Sequence, residues 1–441
     1  MRIAMIGGGY VGLVSGACFA EFGTDVAIVE QDPHKLDALL NGRIPIYEPG
    51  LDAIVSKNTE TGRLTFGNDL AAAIANADAV FIAVGTPTRR GDGHADLSYV
   101  YAATREIAKA AKNSLLIVTK STVPVGTGRQ VAQILKDERP DIEFSVASNP
   151  EFLREGSAID DFMRPDRVII GIDNTSPEQA DRATEIMREL YRPLYLIEAP
   201  IVFTDLETAE LTKYAANAFL AMKVTFINEM ADLCEKVGAN IHDVAKGMGL
   251  DRRINRRFLH AGPGYGGSCF PKDTRALTAI AQDAGMRSRL VETTIEINEA
   301  RKSQMAERII AAAGGSVHSK KIGVLGLTFK PDTDDMREAA SLPILTRLCD
   351  EGAHIQAFDP EGMDAARPLL PEVIDYRQDA LSAAEDVDIL VILTEWNAFR
   401  AIDPKRLRET MRGDIIIDLR NIWKPESFRA AGFKYSSIGR P

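Results

Sequence analysis

Apolar residues occur in short, nearly continuous runs along the first half of the chain. Such runs lie at residues 2–6, 79–85, 115–120, 144–148 and 168–172. Their length and their lack of alternation are typical of parallel strands that are buried on both faces. Segments with helical spacing fill the intervals between them. The alternation of strands and helices predicts a doubly wound α/β sheet with helices on both faces.

The pattern changes near residue 204. Helical spacing then continues for more than thirty residues and stops at Gly238. A helix of that length with apolar residues on more than one face usually bridges domains or packs against a second subunit. A second βα series follows a short linker. We therefore predict a Rossmann domain at residues 1–203, a central helical dimerisation domain at 204–313, and a second Rossmann-like domain at 314–441.

The first predicted strand leads into a glycine-rich turn. Gly7, Gly9 and Gly12 complete a G-x-G-x-x-G, and a helix and a second strand ending at Glu30 follow. In this context the glycines let the backbone approach a pyrophosphate at the helix N-terminus. Glu30 lies 18 residues after Gly12, where a carboxylate can bind a ribose 2′-hydroxyl and repel a 2′-phosphate. The turn therefore predicts NAD, in preference to NADP, as the cofactor.

Composition and charge exclude several classes of function. The net charge is −11 and no basic block occurs, which argues against nucleic acid and anionic membranes as partners. Met1 leads directly into a predicted strand, so we expect no signal peptide, and no apolar run approaches the ~20 residues that span a bilayer. Four scattered cysteines fit a reducing cytoplasm. The six histidines have no metal-ligand spacing, so we expect no catalytic metal.

One cysteine stands apart from the others. Cys18, Cys234 and Cys349 lie in apolar helical patterns and are predicted core residues, whereas Cys269 follows a glycine-rich loop just upstream of a predicted helix. The positive end of that helix and the nearby Lys272 favour a thiolate, which is a nucleophile for carbonyl carbon. Together with the dinucleotide turn, this predicts an oxidation in which an aldehyde is held covalently on sulfur.

Other candidate residues have a plainer alternative. Asp273 follows Lys272 and could serve only as the N-cap of the next helix. Lys213 and Asn217 share a helix face and could bind the oxygen of a reacting alcohol, or they could lie on a solvated surface. Glu151 follows a strand and an Asn-Pro pair, which points it at a cleft, although it could be a surface acid.

Eight motifs in order give the chain a resemblance to the UDP-glucose/GDP-mannose dehydrogenase superfamily over almost its whole length. These motifs are IGGGYVG, IPIYEPGL, AVGTPT, KSTVPVGT, SNPEFLREG, AELTKYAANAFLA, GYGGSCFPKDT and GLTFKPDTDDMRE. The resemblance implies an NAD domain, a helical dimer-forming middle, and a C-terminal domain that holds the nucleotide-sugar. It also implies oxidation of the C6 alcohol of UDP-glucose to a carboxylate with two NAD⁺, through a cysteine thiohemiacetal and thioester, in a homodimer.

The resemblance also implies roles for individual residues. It implies that Cys269 is the nucleophile and that Lys213 and Asn217 bind the reacting oxygen. It further implies that Asp273 is the acid/base, that Glu151 assists hydrolysis, and that the Thr122 hydroxyl holds a water molecule. The implied cofactor contacts are Gly7, Gly9, Tyr10, Val11, Gly12, Glu30, Lys35, Thr86, Thr122, Glu155, Lys272 and Arg337. The implied substrate contacts are Glu151, Phe152, Leu153, Lys213, Asn217, Arg253, Phe258, Leu259, Gly266, Cys269, Phe329, Lys330 and Arg420. Among these, Arg253 resembles an arginine that reaches the neighbouring subunit's site, although its basic cluster could equally be a solvated face.

Three alternatives stay open at this point. A GDP-mannose dehydrogenase would share the chemistry and differ in recognition of the base and sugar. A two-electron dehydrogenase of the 3-hydroxyacid type also has a Lys-x-x-x-Asn pair on a long helix, but it needs neither Cys269 nor residues 315–441. A non-catalytic NAD-dependent scaffold would lack at least one catalytic residue, whereas every matched position is filled here.

Overall fold

A computed structural model of the protein describes residues 1–89 and 93–440. The chain forms two compact units. The first comprises Met1–Ala216 with Ala279–Gly285, and the second comprises Asn217–Thr278 with the residues from Met286 onward. The division into three domains at residues 203 and 313 stays a prediction.

The first unit contains an eight-stranded sheet in the order β3-β2-β1-β4-β5-β6-β7-β8. Every neighbouring pair is parallel except β6 and β7. The strands are β1 Arg2–Ile6, β2 Asp25–Val29, β3 Leu64–Gly67, β4 Ala79–Ile82, β5 Leu115–Thr119, β6 Phe144–Ser148, β7 Val168–Ile172 and β8 Ile201–Asp205. The predicted strands are confirmed, although β2, β4 and β5 end before the predicted positions 30, 85 and 120.

Helices cover both faces of this sheet with two apolar clusters. They are α1 Tyr10–Glu21, α2 Pro33–Leu40, α3 Leu51–Glu60, α4 Leu70–Ile74, α5 Ser98–Ala110, α6 Thr127–Glu138, α7 Ala158–Met163, α8 Pro177–Leu190 and the 3₁₀ helix Arg192–Ile197. Helix α1 packs closely on the sheet because Gly12, in its first turn, has no side chain to clash with the backbone after β1. A Cβ atom on Gly12 would lie 1.9 Å from the carbonyl oxygen of Gly7, so only glycine fits there.

The second unit contains a six-stranded parallel sheet in the order β11-β10-β9-β12-β13-β14. Its strands are β9 Lys321–Leu325, β10 His354–Phe358, β11 Asp375–Tyr376, β12 Ile389–Ile392, β13 Ile415–Asp418 and β14 Lys434–Ser437. The helices that follow the long helix are α10 Ile241–Gly249, α11 Phe270–Asp283, α12 Arg289–Ala312, α13 Ser341–Asp350, α14 Met363–Ala366, α15 Ala380–Ala383, α16 Asn397–Arg400, α17 Pro404–Thr410 and α18 Pro425–Ala430. The predicted second Rossmann-like sheet is therefore confirmed.

The long helix α9, Leu206–Val237, has 32 residues and contributes to both units. Its start is fixed by Asp205, whose Oδ1 accepts a hydrogen bond from the backbone N–H of Thr208 at 2.7 Å. It stops where Gly238 adopts a φ of +74°, a conformation that glycine tolerates best. The predicted helix is confirmed. In the part of the chain that the structure describes, no helix is long and apolar enough to cross a membrane.

Candidate active site

The glycine-rich turn after β1 is shaped for a dinucleotide. A Cβ on Gly7, whose φ is +107°, would lie 2.7 Å from a backbone oxygen just after β4, whereas a Cβ on Gly9 would meet no atom within 4 Å. Open space therefore faces the N-terminus of α1, where a pyrophosphate would bind. Glu30 stands beside the turn, because its carboxylate accepts the N–H groups of Gly8 and Asp32, both at 2.8 Å.

Tyr10 begins α1 and joins the turn to the loop after β6. Its hydroxyl hydrogen-bonds Glu48, and the Glu48 carboxylate accepts the N–H groups of Gly156 at 2.6 Å and Ala158 at 2.7 Å. Burial and this carboxylate raise the pKa of Tyr10, and the charge of Glu155 adds to the effect. Glu48 had no predicted role, although it lies within the quoted motif IPIYEPGL.

Two predicted cofactor residues meet at the carboxyl ends of β4 and β5. The Thr86 hydroxyl donates to the carbonyl oxygen of Thr122 at 2.9 Å, and Ser121 Oγ donates to a backbone oxygen after β4 at 2.6 Å. Val11 is partly buried in α1, and Lys35 is exposed in α2. The structure thus joins the two threonine loops, while Lys35 stands at the surface.

Glu210, one turn before Lys213 in α9, is an acid that the sequence analysis missed. Its carboxylate accepts the N–H groups of Gly126 at 2.7 Å and Gly128 at 2.8 Å, which are donors in the first turn of α6. Burial raises the pKa of Glu210 to about 7. Helix α9 therefore holds the end of the loop that carries Thr122.

Glu151 and Lys213 form a buried ion pair at 3.2 Å, with side chains only 7% and 3% exposed. The second Glu151 oxygen accepts the N–H of Leu153 at 2.6 Å. The centre of the Phe152 ring lies 3.7 Å from the Arg167 guanidinium and 5.1 Å from Lys213 Nζ. The alternative of a solvated surface is therefore wrong for Glu151 and Lys213. Arg167 was missed because it lies one residue before the predicted strand at 168–172, where a single charge adds nothing to the periodic pattern.

Asn217 lies one turn after Lys213 in α9 and contacts a different carboxylate. Its Nδ2 donates to Asp273 Oδ2 at 2.6 Å, and Lys272 Nζ lies 2.8 Å from Asp273 Oδ1. Asp273 and Asn217 are both buried. The alternative of a solvated surface is therefore wrong for Asn217 as well.

The alternative interpretation of Asp273 as an N-cap is also wrong. Helix α11 begins at Phe270, so Asp273 lies inside its first turn and its own N–H donates to the carbonyl oxygen of Cys269 at 2.8 Å. Proline is well tolerated in a first turn, and Pro271 lets the helix begin earlier than the sequence suggested. Cys269 thus immediately precedes α11, as predicted, and its Sγ lies 3.4 Å from the Ser268 hydroxyl.

The remaining cysteines largely follow the prediction. Cys18 and Cys234 are buried, whereas Cys349 is only partly buried, so its assignment to the core is a correction. Burial raises the pKa of the Cys18 thiol to about 12. Within residues 1–89 and 93–440, no group of three His, Cys, Asp or Glu side chains could hold a metal ion.

The loop before Cys269 requires glycine at two positions. A Cβ on Gly266 would lie 2.4 Å from the carbonyl oxygen of Glu338, and a Cβ on Gly267, whose φ is +83°, would lie 2.7 Å from the Phe329 ring. The N–H of Gly267 also donates to the carbonyl oxygen of Arg337 at 2.8 Å. The loop is therefore held against the segment after β9, which carries several predicted contacts.

Arg420 follows β13 and reaches the same segment. Its guanidinium donates to the carbonyl oxygens of Leu393 at 2.6 Å and Phe329 at 2.9 Å, and it lies 3.1 Å from Glu395. Lys330 Nζ lies 5.3 Å from the centre of the Phe329 ring. The structure thus gathers three predicted substrate residues of the second unit in one place.

Three other predicted substrate residues, Arg253, Phe258 and Leu259, follow one another closely in the segment between α10 and α11. The Arg253 side chain is 89% exposed and pairs with Asp251 at 2.7 Å, which matches the solvated alternative within one chain. Phe258 adopts a φ of +65°, and Leu259 is buried.

Comparison with known proteins identifies relatives along the whole chain. Residues 1–195 match the UDP-glucose/GDP-mannose dehydrogenase family, NAD binding domain, residues 207–300 match its central domain, and residues 323–425 match its UDP binding domain. The chain is 58% identical to the UDP-glucose 6-dehydrogenase of Rhizobium meliloti (strain 1021) over 441 residues, with all of both chains covered. It is 47% identical to UDP-glucose 6-dehydrogenase TuaD of Bacillus subtilis (strain 168), covering 100% of this chain and 93% of the relative.

A solved structure is similar over the same extent. The UDP-glucose dehydrogenase from Pyrobaculum islandicum has a TM-score of 0.90 and 36% identity, with 100% of this chain and 98% of that chain covered.

Proposed function

The chain belongs to the UDP-glucose/GDP-mannose dehydrogenase family, and we propose that it oxidises the C6 hydroxyl of UDP-glucose to the carboxylate of UDP-glucuronate with two NAD⁺. The observation that carries this proposal is the position of Cys269 directly before α11, with Asp273 in the first turn of that helix and bonded to Asn217 of α9. A nucleophile, a proton acceptor and an oxygen ligand thus lie on adjoining positions. The choice of UDP-glucose rests on the names of the relatives.

The first oxidation uses the polar residues of α9. Bound NAD⁺ supplies the hydride acceptor for each oxidation. Lys213 donates to the C6 oxygen as negative charge develops on it, and the Asn217 amide adds a second donor. Asp273 accepts the hydroxyl proton through water, and its buried carboxylate is held for this by Asn217 at 2.6 Å. The product of this half is an aldehyde at C6.

The second half needs sulfur. Cys269 Sγ adds to the aldehyde carbon, the aldehyde oxygen takes a proton, and the thiohemiacetal then loses a hydride and its hydroxyl proton to become a thioester. Glu151 accepts a proton from the water that attacks this thioester, while Thr122 holds the water. The C–S bond breaks, the acid is released, and Cys269 returns as thiolate.

We propose that the protein is a homodimer built on α9. Phe219, Phe226 and Leu233 follow one another at seven-residue intervals on this helix, and they are 57%, 42% and 51% exposed. Apolar residues at that spacing form one stripe, which a second copy of the same helix can cover. Arg253 would then serve the neighbouring site. We also place the protein in the cytoplasm, since none of its four cysteines forms a disulfide in the structure described.

A substrate panel tests the proposal. The purified protein is mixed with UDP-glucose or GDP-mannose in the presence of NAD⁺, and NADH and the acid are quantified. We expect two NADH and one UDP-glucuronate for each UDP-glucose, and little product from GDP-mannose. One NADH per sugar with free aldehyde would refute the four-electron reaction, and preference for GDP-mannose would identify the alternative substrate.

A further inference from the structure

We propose that Lys120 is a further positioning residue for this reaction, because it ties the loop that carries Thr122 to the loop that carries Glu151. Lys120 is the first residue after β5, and Asn149 is the first residue after β6. The ammonium of Lys120 donates to Asn149 Oδ1 at 3.1 Å. This side-chain bond joins the starts of the two loops, each two residues before a predicted site residue. The link to the reaction rests on the proposed function.

The partners of Lys120 are fixed in turn. The Tyr191 hydroxyl donates to the same Asn149 Oδ1 at 2.6 Å and lies 3.4 Å from Lys120 Nζ. Asn149 Nδ2 donates to the carbonyl oxygen of Ile169 in β7 at 2.8 Å. Lys120, Asn149 and Tyr191 are all buried. The amide can therefore rotate only by breaking these bonds, so Lys120 is held at a defined place.

Burial of the Lys120 ammonium is unfavourable for the stability of the folded protein. Both of its hydrogen-bond partners are uncharged, and the Phe162 ring lies 5.8 Å from its Nζ. A buried cation with neutral partners is unfavourable, and an apolar side chain of similar size is often neutral or better for stability. Maintaining the fold therefore does not require an ammonium here.

The ammonium also belongs to the electrostatic surroundings of the Glu151–Lys213 pair. Burial lowers the pKa of Lys120 to about 8, Glu151 opposes this change, and Lys213 adds to it. The Glu151 carboxylate is therefore paired with Lys213 and also acts electrostatically on Lys120. Moving Lys120 would shift the loop and the charge around Glu151 together, which is what distinguishes a positioning residue from a passive core residue.

The test compares Lys120→Met with Lys109→Met, a matched change at an exposed lysine in α5. Amide hydrogen exchange by mass spectrometry follows peptides covering residues 120–126 and 149–156. We expect faster exchange in both peptides in Lys120→Met, no change elsewhere in the first unit, and a midpoint of thermal unfolding that does not fall. Lys109→Met should match the unmodified protein.

Kinetics supply the second measurement. Since Thr122 and Glu151 handle water in the proposed function, Lys120→Met should lower kcat by on the order of tenfold to a hundredfold. The slow step should become thioester hydrolysis, seen as a burst of two NADH per site before slow turnover. Tyr191→Phe should also lower kcat, by a smaller factor than Lys120→Met.

The outcomes separate cleanly. Unchanged exchange in both peptides, or faster exchange across the whole first unit with a lower unfolding midpoint, would overturn the role of Lys120. Faster exchange in the two loops with unmodified kcat would overturn the link to the reaction. If the unmodified protein fails to oxidise UDP-glucose, the proposed function fails, while the exchange measurement still decides whether Lys120 joins the loops.

Discussion

Replacing Glu151 with glutamine should destabilise the first unit more than replacing Lys213 with methionine. Glu151 and Lys213 are a buried pair at 3.2 Å, and Lys120 is a second cation under the influence of the same carboxylate. Glu151→Gln leaves two buried ammonium groups without that carboxylate. Lys213→Met leaves Glu151 with the charge of Lys120 and with the Leu153 N–H at 2.6 Å.

The expected sizes follow from this asymmetry. Removing one partner of a buried ion pair typically costs about 3–5 kcal/mol, and we expect Glu151→Gln to fall in that range. Lys213→Met should cost roughly 1–3 kcal/mol, because its orphaned partner keeps other donors. The double variant should cost no more than Glu151→Gln alone, which gives a coupling free energy of roughly 2 kcal/mol.

The cost of Glu151→Gln should also depend on pH. Burial lowers the pKa of Lys120 to about 8, below its value of about 10.4 in an unfolded chain. Between these two pH values the unfolded state therefore binds more protons at Lys120 than the folded state does. The contribution of Lys120 to the free energy of unfolding rises by roughly 3 kcal/mol over that range of pH. Loss of Glu151 lowers the folded pKa further, so Lys120 loses its proton at lower pH. The cost should thus shrink between about pH 6.5 and pH 9.

Urea unfolding followed by far-ultraviolet circular dichroism measures these costs at both pH values. Glu106→Gln, at an exposed position in α5, is the matched control and should lie within about 0.5 kcal/mol of the unmodified protein. Two results would refute this reasoning. One is an equal loss of unfolding free energy in Lys213→Met and Glu151→Gln at pH 6.5. The other is a loss in Glu151→Gln that is the same at pH 9 as at pH 6.5.

Two further predictions concern the cofactor and the assembly. Glu30→Ala should weaken NAD⁺ binding and narrow the preference over NADP⁺, because it removes the ribose acceptor and the charge that repels a 2′-phosphate; KM values for both cofactors measure this, and equal activity of the unmodified protein with both would contradict it. Phe226→Glu should shift the mass measured by light scattering from dimer to monomer, because it places a charge in the exposed apolar stripe of α9. If the unmodified protein is monomeric and fully active at micromolar concentration, the proposed interface is wrong.

The sequence predicted strands wherever they consist of buried apolar residues. β1 and β5–β7 are examples, since nearly all of their residues are buried. β3 and β8 were missed because they lie at the edges of the sheet, where only the first residue of β3 and none of β8 is buried. The antiparallel pairing of β6 with β7 contradicts the expectation of parallel strands, because a buried apolar run has the same pattern in either direction.

The site was predicted in part for a similar reason. Motifs identified Cys269, Lys213 and Glu151 because these residues stand at helix starts, on helix faces or after strands. Their partners depend on distant contacts, as with Glu210, which caps a helix more than eighty residues earlier in the chain. Lys120 was quoted only as part of a motif, since burial of a charge is a tertiary property that periodicity does not reveal.

The central claim is that Cys269 carries the sugar covalently between the two oxidations. Intact-protein mass spectrometry after rapid mixing with UDP-glucose and NAD⁺, with UDP-glucuronate quantified in parallel, tests it most directly. We predict a sugar adduct on the unmodified protein, retained in Cys349→Ser, and a fall in glucuronate formation of on the order of 10³ or more in Cys269→Ser, because a serine hydroxyl is a much poorer nucleophile and leaving group than a thiolate. Glucuronate formation by Cys269→Ser at the unmodified rate would contradict the account.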